Sequence, residues 1–359
     1  RRYVRVPSPA PCRGWQGDTA VEEQRIQALN DAGPSDSGRY VLYWMQQSQR
    51  ASFNPALELA VRRANARGEP VVVGFGLTED YPEANERHFA FMLEGLAEVA
   101  GALRERGIAF VLRRGAPDEV ALALAAEASL VVCDGGYLRH QRAWRERIAR
   151  EAGRQVLEVE GDAVVPVRLV SDKVEFAART IRRKLERAWP DFLGGLEESA
   201  VAHTSLTLGL HSDPDPHDPG AALAALAIDR AVSRVSHFRG GTGEARARLK
   251  RFLQADLPGY AGARNDPADP SASQLSPYLH FGQVSPVEIA RKVQAARGGS
   301  AEDAAAFLEE LIVRRELALN WVTFQPRYER FDALPDWALK TLAEHEADPR
   351  PVLYSRETL

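Results

Sequence analysis

Five short apolar runs alternate with helical stretches through the first half of the chain, and this alternation limits the fold more than any other feature. The runs are mostly continuous, as in strands that a parallel sheet buries on both faces. The stretches between them carry apolar residues at three- and four-residue steps, which is the helical period. The pattern predicts a doubly wound, parallel α/β domain. Its predicted strands are 40–44, 70–77, 108–112, 130–133 and 156–159, and its predicted helices are 54–66, 85–106, 117–127 and 138–152.

The second half of the chain differs, because beyond about residue 161 helical periodicity dominates. We expect 164–170 to be extended, and 190–220 is a loop rich in Asp, Pro, His and Ser, a composition typical of linkers. The sequence thus predicts an N-terminal extension (1–24), an α/β domain (25–165), an interdomain linker (166–220) and an all-α domain (221–359). The predicted helices of this half are 175–188, 221–235, 244–257, 286–296, 301–321 and 335–345.

Composition excludes several classes of protein. The 359 residues are 45% hydrophobic with a net charge of −4, which argues against disorder and against wholesale coating of nucleic acid. No run approaches the roughly 20 apolar residues of a membrane span, and residues 1–20 lack the apolar core of a secretory signal. Two cysteines, Cys12 and Cys133, cannot build a disulfide framework or a cysteine-based zinc site, which favours an intracellular protein. Residues 355–359 resemble the middle of a helix, so we expect a C-terminal truncation.

The phosphate-binding glycine motifs of nucleotide enzymes are absent from the sequence. Instead, the polar run 44–50 follows the first strand, and it is either a solvated loop or a contact for a ligand or a neighbouring loop. The basic helix 175–188 is likewise open to two interpretations. Its arginines either contact phosphate or form a solvated face with Glu175 and Glu186 as partners.

The segment 260–282 is the most unusual in composition, with three serines leading into a helix. Ser276 followed by Pro277 is typical of an N-cap and a first-turn proline. Free N–H groups at a helix start attract anions, so the segment is either a cofactor phosphate site or a well-capped turn without a ligand.

In the helix predicted at 301–321, Glu310 and Arg314 fall within the apolar arc, one turn apart. Glu309, Glu316 and Asn320 fall on the opposite face. Charged groups on a buried face are costly unless they are paired or functional. Glu310 and Arg314 therefore form either an internal ion pair that orients the helix or a polar pair that lines a ligand cavity.

Five separated motifs, in the same order, resemble the class II DNA photolyases of the cryptochrome/photolyase superfamily. The similarity extends from about residue 25 to residue 359. It implies an N-terminal α/β antenna-type domain and a helical FAD-binding domain. The motifs are YVLYWMQQSQR at 40–50, YPEANERHFAFML at 81–93, RNDP at 264–267, LSPYLHFGQ at 275–283 and FLEELIVRRELA at 307–318.

The resemblance implies a deoxyribodipyrimidine photo-lyase, a carbon–carbon lyase that repairs cyclobutane pyrimidine dimers in double-stranded DNA. In such enzymes the dimer is flipped out of the duplex, and light-excited reduced FAD supplies the electron that splits the cyclobutane ring. Glu310 matches the catalytic glutamate that binds the pyrimidine carbonyl, and Arg314 would hold Glu310 or line the substrate pocket. The residues that match the FAD-contacting segment are Tyr260, Ser273, Gln274, Leu275, Ser276 and Leu279.

The final helical portion of the family, with its electron-relay tryptophans, lies beyond residue 359, so we expect this chain to encode an incomplete FAD domain. Two other functions remain open: a cryptochrome-like FAD photoreceptor without repair activity, and an inactive flavin-free fragment. The resemblance also allows a second antenna chromophore, either a deazaflavin or a folate. We expect a monomer that needs no metal.

Overall fold

A computed structural model describes residues 21–268 and 271–357. Its N-terminal half is built on a six-stranded sheet of order β1-β6-β5-β2-β3-β4, in which every pair is parallel except β1 with β6. All residues of β2, β3 and β5 are buried, in agreement with their continuous apolar sequences. The strands are β1 (Ile26–Ala28), β2 (Tyr40–Trp44), β3 (Val71–Leu77), β4 (Ala109–Arg114), β5 (Ala128–Asp134) and β6 (Val156–Val159).

The five predicted strands are all present, and the sixth, β1, was not predicted. β1 has three residues, all only partly buried, and it pairs antiparallel with β6 through Ile26 opposite Val159. Such a short edge strand carries no apolar run that sequence periodicity can detect. The predicted fold class, a doubly wound α/β half followed by a helical half, is confirmed.

Helices cover both faces of the sheet, and local signals fix their ends. Asn54 caps α1 by accepting a hydrogen bond from the Leu57 N–H at 3.0 Å, and Gly68 ends it with φ of 67°. Gly107 similarly follows α2 with φ of 79°. The four helices are α1 (Pro55–Arg67), α2 (Glu86–Glu105), α3 (Pro117–Ala125) and α4 (Arg139–Glu151).

The second half is helical, but two of its predicted elements are wrong. Val167–Val170 form a short helix, α5, rather than an extended segment, and helix 221–235 is reduced to α7, Pro219–Ala224. The described residues at the C-terminal end, 355–357, are not helical, whereas 358–359 lie outside the described residues. The remaining helices are α6 (Ala178–Ala188), α8 (Thr242–Arg251), α9 (Tyr260–Ala263), α10 (Ser276–His280), α11 (Pro286–Gln294), α12 (Ala301–Leu308), α13 (Arg315–Phe324) and α14 (Asp336–Glu344).

The stretch predicted as a linker packs along the free edge of the sheet. Ser205 Oγ accepts a hydrogen bond from the Ala109 N–H at 2.7 Å, and Ser212 Oγ accepts one from the Leu112 N–H at 3.0 Å. The Arg114 N–H donates to the Asp213 carbonyl at 3.0 Å. This segment therefore satisfies backbone groups of β4 that an edge strand would otherwise leave exposed.

The predicted extension 1–24 lies outside the described residues except for 21–24. In the described part of the chain, no helix combines the length and the apolarity needed to cross a membrane.

Candidate functional site

A cavity of about 1040 Å³ lies between the carboxyl ends of the sheet strands and the helical half. Its sheet-side wall comes from the loops after β2 and β3, which contribute Gln46, Gln47 and Thr78. In doubly wound sheets, ligands bind beyond the strand ends where the strand order reverses, and here that point lies between β2 and β5. The volume is at the upper end of the range of about 300–1,000 Å³ for small-molecule sites.

Most of the predicted cofactor residues meet on the opposite, helix-side wall of this cavity. The residue that does not is Leu275, which is 1% exposed and packs in the helical core. Burial raises the pKa of Tyr260, and the nearby Glu310 adds to that shift. The predicted residues that line the cavity are Tyr260, Ser273, Gln274, Ser276 and Leu279.

The cap predicted at Ser276 is wrong by one position. Helix α10 begins at Ser276 itself, and the N-cap residue is Leu275, whose side chain makes no capping bond. Pro277 occupies the first turn as expected. Ser276 is therefore the first residue of the helix rather than its cap, and it lines the cavity.

The polar run after β2 is largely buried, so the solvated-loop interpretation is wrong. Both Ser48 and Gln49 are buried, and the amide groups of Gln46, Gln47 and Gln49 line the cavity. The Asp134 carboxylate at the end of β5 holds the loop, because it accepts hydrogen bonds from three successive loop N–H groups at 2.8–2.9 Å. Asp134 was not predicted from the sequence, although an acidic residue directly after a buried apolar run is the pattern that would have identified it.

Three acceptor atoms of residues that line the cavity are enclosed by protein and have no hydrogen-bond partner in the described part of the chain. They are Gln46 Oε1, Gln49 Oε1 and Asp162 Oδ1. The other Asp162 oxygen pairs with Arg315 at 3.1 Å. Buried polar atoms are normally satisfied, so these three acceptors are exceptions among the residues of this wall.

Glu310 lies on the cavity wall, as the ligand-facing interpretation requires, but Arg314 does not accompany it. The partner of Glu310 is Arg264, which forms an ion pair and a hydrogen bond with its carboxylate. Arg314 is exposed and pairs with Glu309 at 3.2 Å, so its predicted role in holding Glu310 or lining the pocket is corrected.

A π-helical segment explains this difference. The predicted continuous helix 301–321 consists of α12, a π-helix over Glu309–Arg314, and α13. Hydrogen bonds in a π-helix join residues five apart rather than four. Arg314 is consequently brought next to Glu309, five residues before it, instead of Glu310. Such π-helical turns occur frequently at functional sites.

The face that carries Glu316 and Asn320 is buried against the segment after β6. Glu316 is 2% exposed, and its Oε1 accepts a hydrogen bond from the Val164 N–H at 2.6 Å. Asn320 is also buried, accepts from the Glu175 N–H at 2.8 Å and donates to the Lys173 carbonyl. These side chains attach α13, and with it the wall that contains Glu310, to residues 164–175.

Some of the basic side chains of helix α6 form ion pairs with glutamates. Arg182 forms an ion pair with Glu309 at 2.6 Å, and Lys184 pairs with Glu175 at 2.5 Å. Arg179, Arg183 and Arg187 are exposed. Glu175 is thus a partner of this helix, but it is buried and pairs nine positions along the chain, unlike the solvated i,i+4 partner that was expected. The exposed arginines leave phosphate contact open.

Because Glu316 is buried, we predict that folding stability depends on pH. Burial raises the pKa of this carboxyl from 4.5 to about 8. Between these values the folded chain keeps a proton that the unfolded chain has lost, so folding stability falls as pH rises, by about 1.4 kcal/mol per pH unit. We expect the unfolding midpoint of Glu316→Gln to fall less steeply than that of the wild type between about pH 6 and about pH 8. Glu309→Gln is the control and should retain the wild-type slope, because the pKa of Glu309 is lowered by Arg182. An equally steep slope in Glu316→Gln would contradict the prediction.

Known proteins with related sequence or structure support one family. The model of the family described as DNA photolyase matches residues 41–202. The chain is 40% identical over 339 residues to the deoxyribodipyrimidine photo-lyase of Methanothermobacter thermautotrophicus, an alignment that covers 94% of this chain and 74% of the relative.

Two solved structures share the fold. A class III photolyase from Agrobacterium tumefaciens superposes with a TM-score of 0.63 at 22% identity, covering 80% of this chain and 60% of that chain. An archaeal photolyase from Sulfolobus tokodaii with two FAD molecules superposes with a TM-score of 0.58 at 15% identity, covering 85% and 66%. The chain thus spans 60–74% of the length of these three proteins. By its 40% identity to the Methanothermobacter enzyme, the chain belongs to the DNA photolyase family.

Proposed function

We propose that this chain acts in light-dependent repair of cyclobutane pyrimidine dimers in DNA, as a class II deoxyribodipyrimidine photo-lyase. The observation that carries the proposal is the single cavity on whose wall Glu310 lies together with Tyr260, Ser273, Gln274, Ser276 and Leu279. The name of the Methanothermobacter relative supports the lyase activity, and the sequence motifs support class II.

The cavity residues fit FAD as the cofactor. The helix-side wall offers hydroxyl and amide groups from Ser273, Gln274 and Ser276 beside the apolar surfaces of Tyr260 and Leu279. Such a mixture of apolar contacts with a few polar groups is typical of cofactor sites. When bound in reduced form, FAD supplies the light-driven electron transfer that opens the cyclobutane ring. A solved structural neighbour contains two FAD molecules, which is consistent with flavin binding on this fold.

The sheet-side wall is proposed to take a second chromophore, a deazaflavin or a folate. Gln46, Gln47 and Gln49 line this wall, and their amide side chains can both donate and accept hydrogen bonds with a heterocycle.

Glu310 is the residue proposed to act on the lesion. A damaged pair stacks poorly, so it can leave the duplex and enter a cavity at reduced cost. In its protonated form, the Glu310 carboxyl group on the cavity wall would then donate its O–H to a pyrimidine carbonyl and stabilise the negative charge that develops there. Arg264, which pairs with Glu310, keeps that side chain oriented before DNA binds.

Damaged double-stranded DNA is the proposed partner of a monomeric, intracellular protein. The exposed arginines of α6, Arg179, Arg183 and Arg187, offer cations for the phosphate backbone. Arg182, on the same helix, pairs with Glu309, the neighbour of Glu310 in the chain, which places α6 close to the cavity.

The test is repair of a duplex that contains a single cyclobutane dimer, with the chain reconstituted with FAD and reduced. We expect loss of the dimer under blue light and none in the dark. A chain that retains flavin but leaves the dimer intact in light would contradict repair and favour the cryptochrome-like photoreceptor. A chain that retains no flavin would favour the flavin-free fragment.

A further inference from the structure

Arg50, in the loop after β2, joins the two walls of the cavity. Its side chain is fully buried, with 0% of the residue exposed. One guanidinium nitrogen, Nη1, donates to the Gly282 carbonyl at 2.9 Å, and the other, Nη2, donates to the Gly161 carbonyl at 2.9 Å. Nε donates to the Phe53 carbonyl at 3.0 Å. A single side chain therefore joins its own loop to two segments that are distant in the chain.

The contacts with Gly282 and Gly161 each lie next to residues that line the cavity. Gly282 follows α10, the helix that carries Ser276 and Leu279 on the helix-side wall. Gly161 precedes Asp162, which lines the cavity and carries an unpartnered oxygen. Arg50 itself follows Gln46–Gln49 on the sheet-side wall. The guanidinium consequently connects the backbone of both walls.

The backbones approach closely at the same point. Gly282 has φ of 63°, and a Cβ atom added there would lie 1.7 Å from the Gln47 carbonyl oxygen. Only glycine fits this position, because both the conformation and the contact exclude a side chain. Gly282 therefore permits the approach of the two walls, and Arg50 holds them together.

The chemistry of arginine suits Arg50 for holding the two cavity walls together better than for stabilising the fold. The hydrogen-bond partners of Arg50 are main-chain carbonyls, and its guanidinium is removed from water. Burial of a cation costs free energy that neutral carbonyl groups only partly offset, and the charge of the nearby Asp162 offsets a further part. The planar guanidinium does, however, direct several N–H groups along fixed directions, which a flexible ammonium group does not.

We propose that Arg50 is a positioning residue that fixes the separation of the two cavity walls and so sets the affinity and the environment of the bound flavin. The flavin part of this inference rests on the proposed function. The inference that Arg50 fixes the separation of the two walls concerns the protein without flavin, and it is tested separately.

Arg25 provides a matched control. It is 5% exposed, and its guanidinium also donates to three main-chain carbonyls, those of Glu160, Ala163 and Val164. These carbonyls all belong to the segment after β6, so Arg25 makes no hydrogen bond to the segment around Gly282. Loss of Arg25 therefore removes a comparable set of buried hydrogen bonds without removing any hydrogen bond to the segment around Gly282.

The experiment compares Arg50→Met, Arg50→Lys and Gly282→Ala with Arg25→Met in the full chain. Without flavin, we expect amide hydrogen exchange in 276–284 to accelerate about tenfold in Arg50→Met and Gly282→Ala but not in Arg25→Met. With FAD, we expect about tenfold weaker binding and an altered visible circular dichroism band in the same two variants. Arg50→Lys should recover part of both effects, because it retains a donor.

Equal exchange rates and equal FAD affinity in Arg50→Met and Arg25→Met would overturn the proposal. If the wild-type chain binds no FAD, the proposed function fails, while the exchange measurement still tests the wall contact. If Arg50→Met does not fold, Arg50→Lys and Gly282→Ala carry the test, and unchanged exchange in both would overturn the proposal.

Discussion

Replacement of Asp134 by alanine is expected to cause the largest loss of stability of any single change at the site. Its buried carboxylate accepts hydrogen bonds from the N–H groups of Gln46, Gln47 and Ser48 and from the Tyr43 hydroxyl at 2.9 Å. Alanine leaves these donors without an acceptor, and buried unpaired groups cost about 1–3 kcal/mol each. For four donors we expect a total loss of at least roughly 4 kcal/mol, together with disorder of the cavity loop.

Denaturant unfolding followed by circular dichroism measures this loss, and hydrogen exchange of residues 46–48 locates it. Asp134→Asn, which keeps one acceptor oxygen, should fall between wild type and alanine. Glu127→Ala is the control, since Glu127 pairs with Arg39 and both side chains are about half exposed. Such exposed pairs contribute about 0–1 kcal/mol. A loss below about 1 kcal/mol for Asp134→Ala would contradict the role of the carboxylate in holding the loop.

Glu310→Ala is expected to have the largest effect on the proposed reaction. The cavity position of Glu310 allows it to contact a lesion carbonyl, and removal of one group that stabilises developing charge commonly lowers rates by a factor of 10² to 10³. We expect repair per absorbed photon to fall at least about tenfold. Flavin content should be unchanged, because none of the hydrogen bonds of Glu310 reach the predicted cofactor residues.

Arg314→Ala provides the control on the same helix. Because Arg314 is exposed and pairs with Glu309, its loss should leave repair close to the wild-type level. Quantitative dimer repair in defined light doses distinguishes the two variants. An unchanged yield in Glu310→Ala, or an equal loss in Arg314→Ala, would contradict the assignment of the catalytic group.

The α/β half could be predicted from sequence because its strands combine apolar runs with clear boundaries. Strands 40–44 and 156–159 agree with the structure to the residue. β1 could not be predicted, because three half-buried residues at an edge are specified by pairing with β6 rather than by their own pattern. Helix 221–235 was wrong for a related reason. Helical periodicity there is overridden beyond Ala224 by loop contacts, such as the hydrogen bond from Arg230 Nη2 to the Leu226 carbonyl.

The candidate site was only partly accessible to sequence reasoning. Glu310 and Tyr260 were identified through motifs, and the structure places both at one cavity. Asp134, Arg264 and Arg50 were not assigned, because their roles depend on contacts with residues far away in the chain. Arg50, for example, meets Gly282 across 232 positions of sequence. The π-helical turn at Glu309–Arg314 also leaves no signal in the hydrophobic periodicity of the sequence. It makes Glu309, rather than Glu310, the ion-pair partner of Arg314.

The cavity between the sheet and the helical half is proposed to bind FAD. The most direct measurement is the visible absorption spectrum of the purified chain after incubation with FAD and desalting. We predict a structured band of protein-bound oxidised flavin at a stoichiometry close to one per chain. The substitution Ser276→Trp places a bulky side chain at the cavity wall and should reduce this band. Absence of any retained flavin in the wild-type chain, with the protein folded by circular dichroism, would contradict the claim.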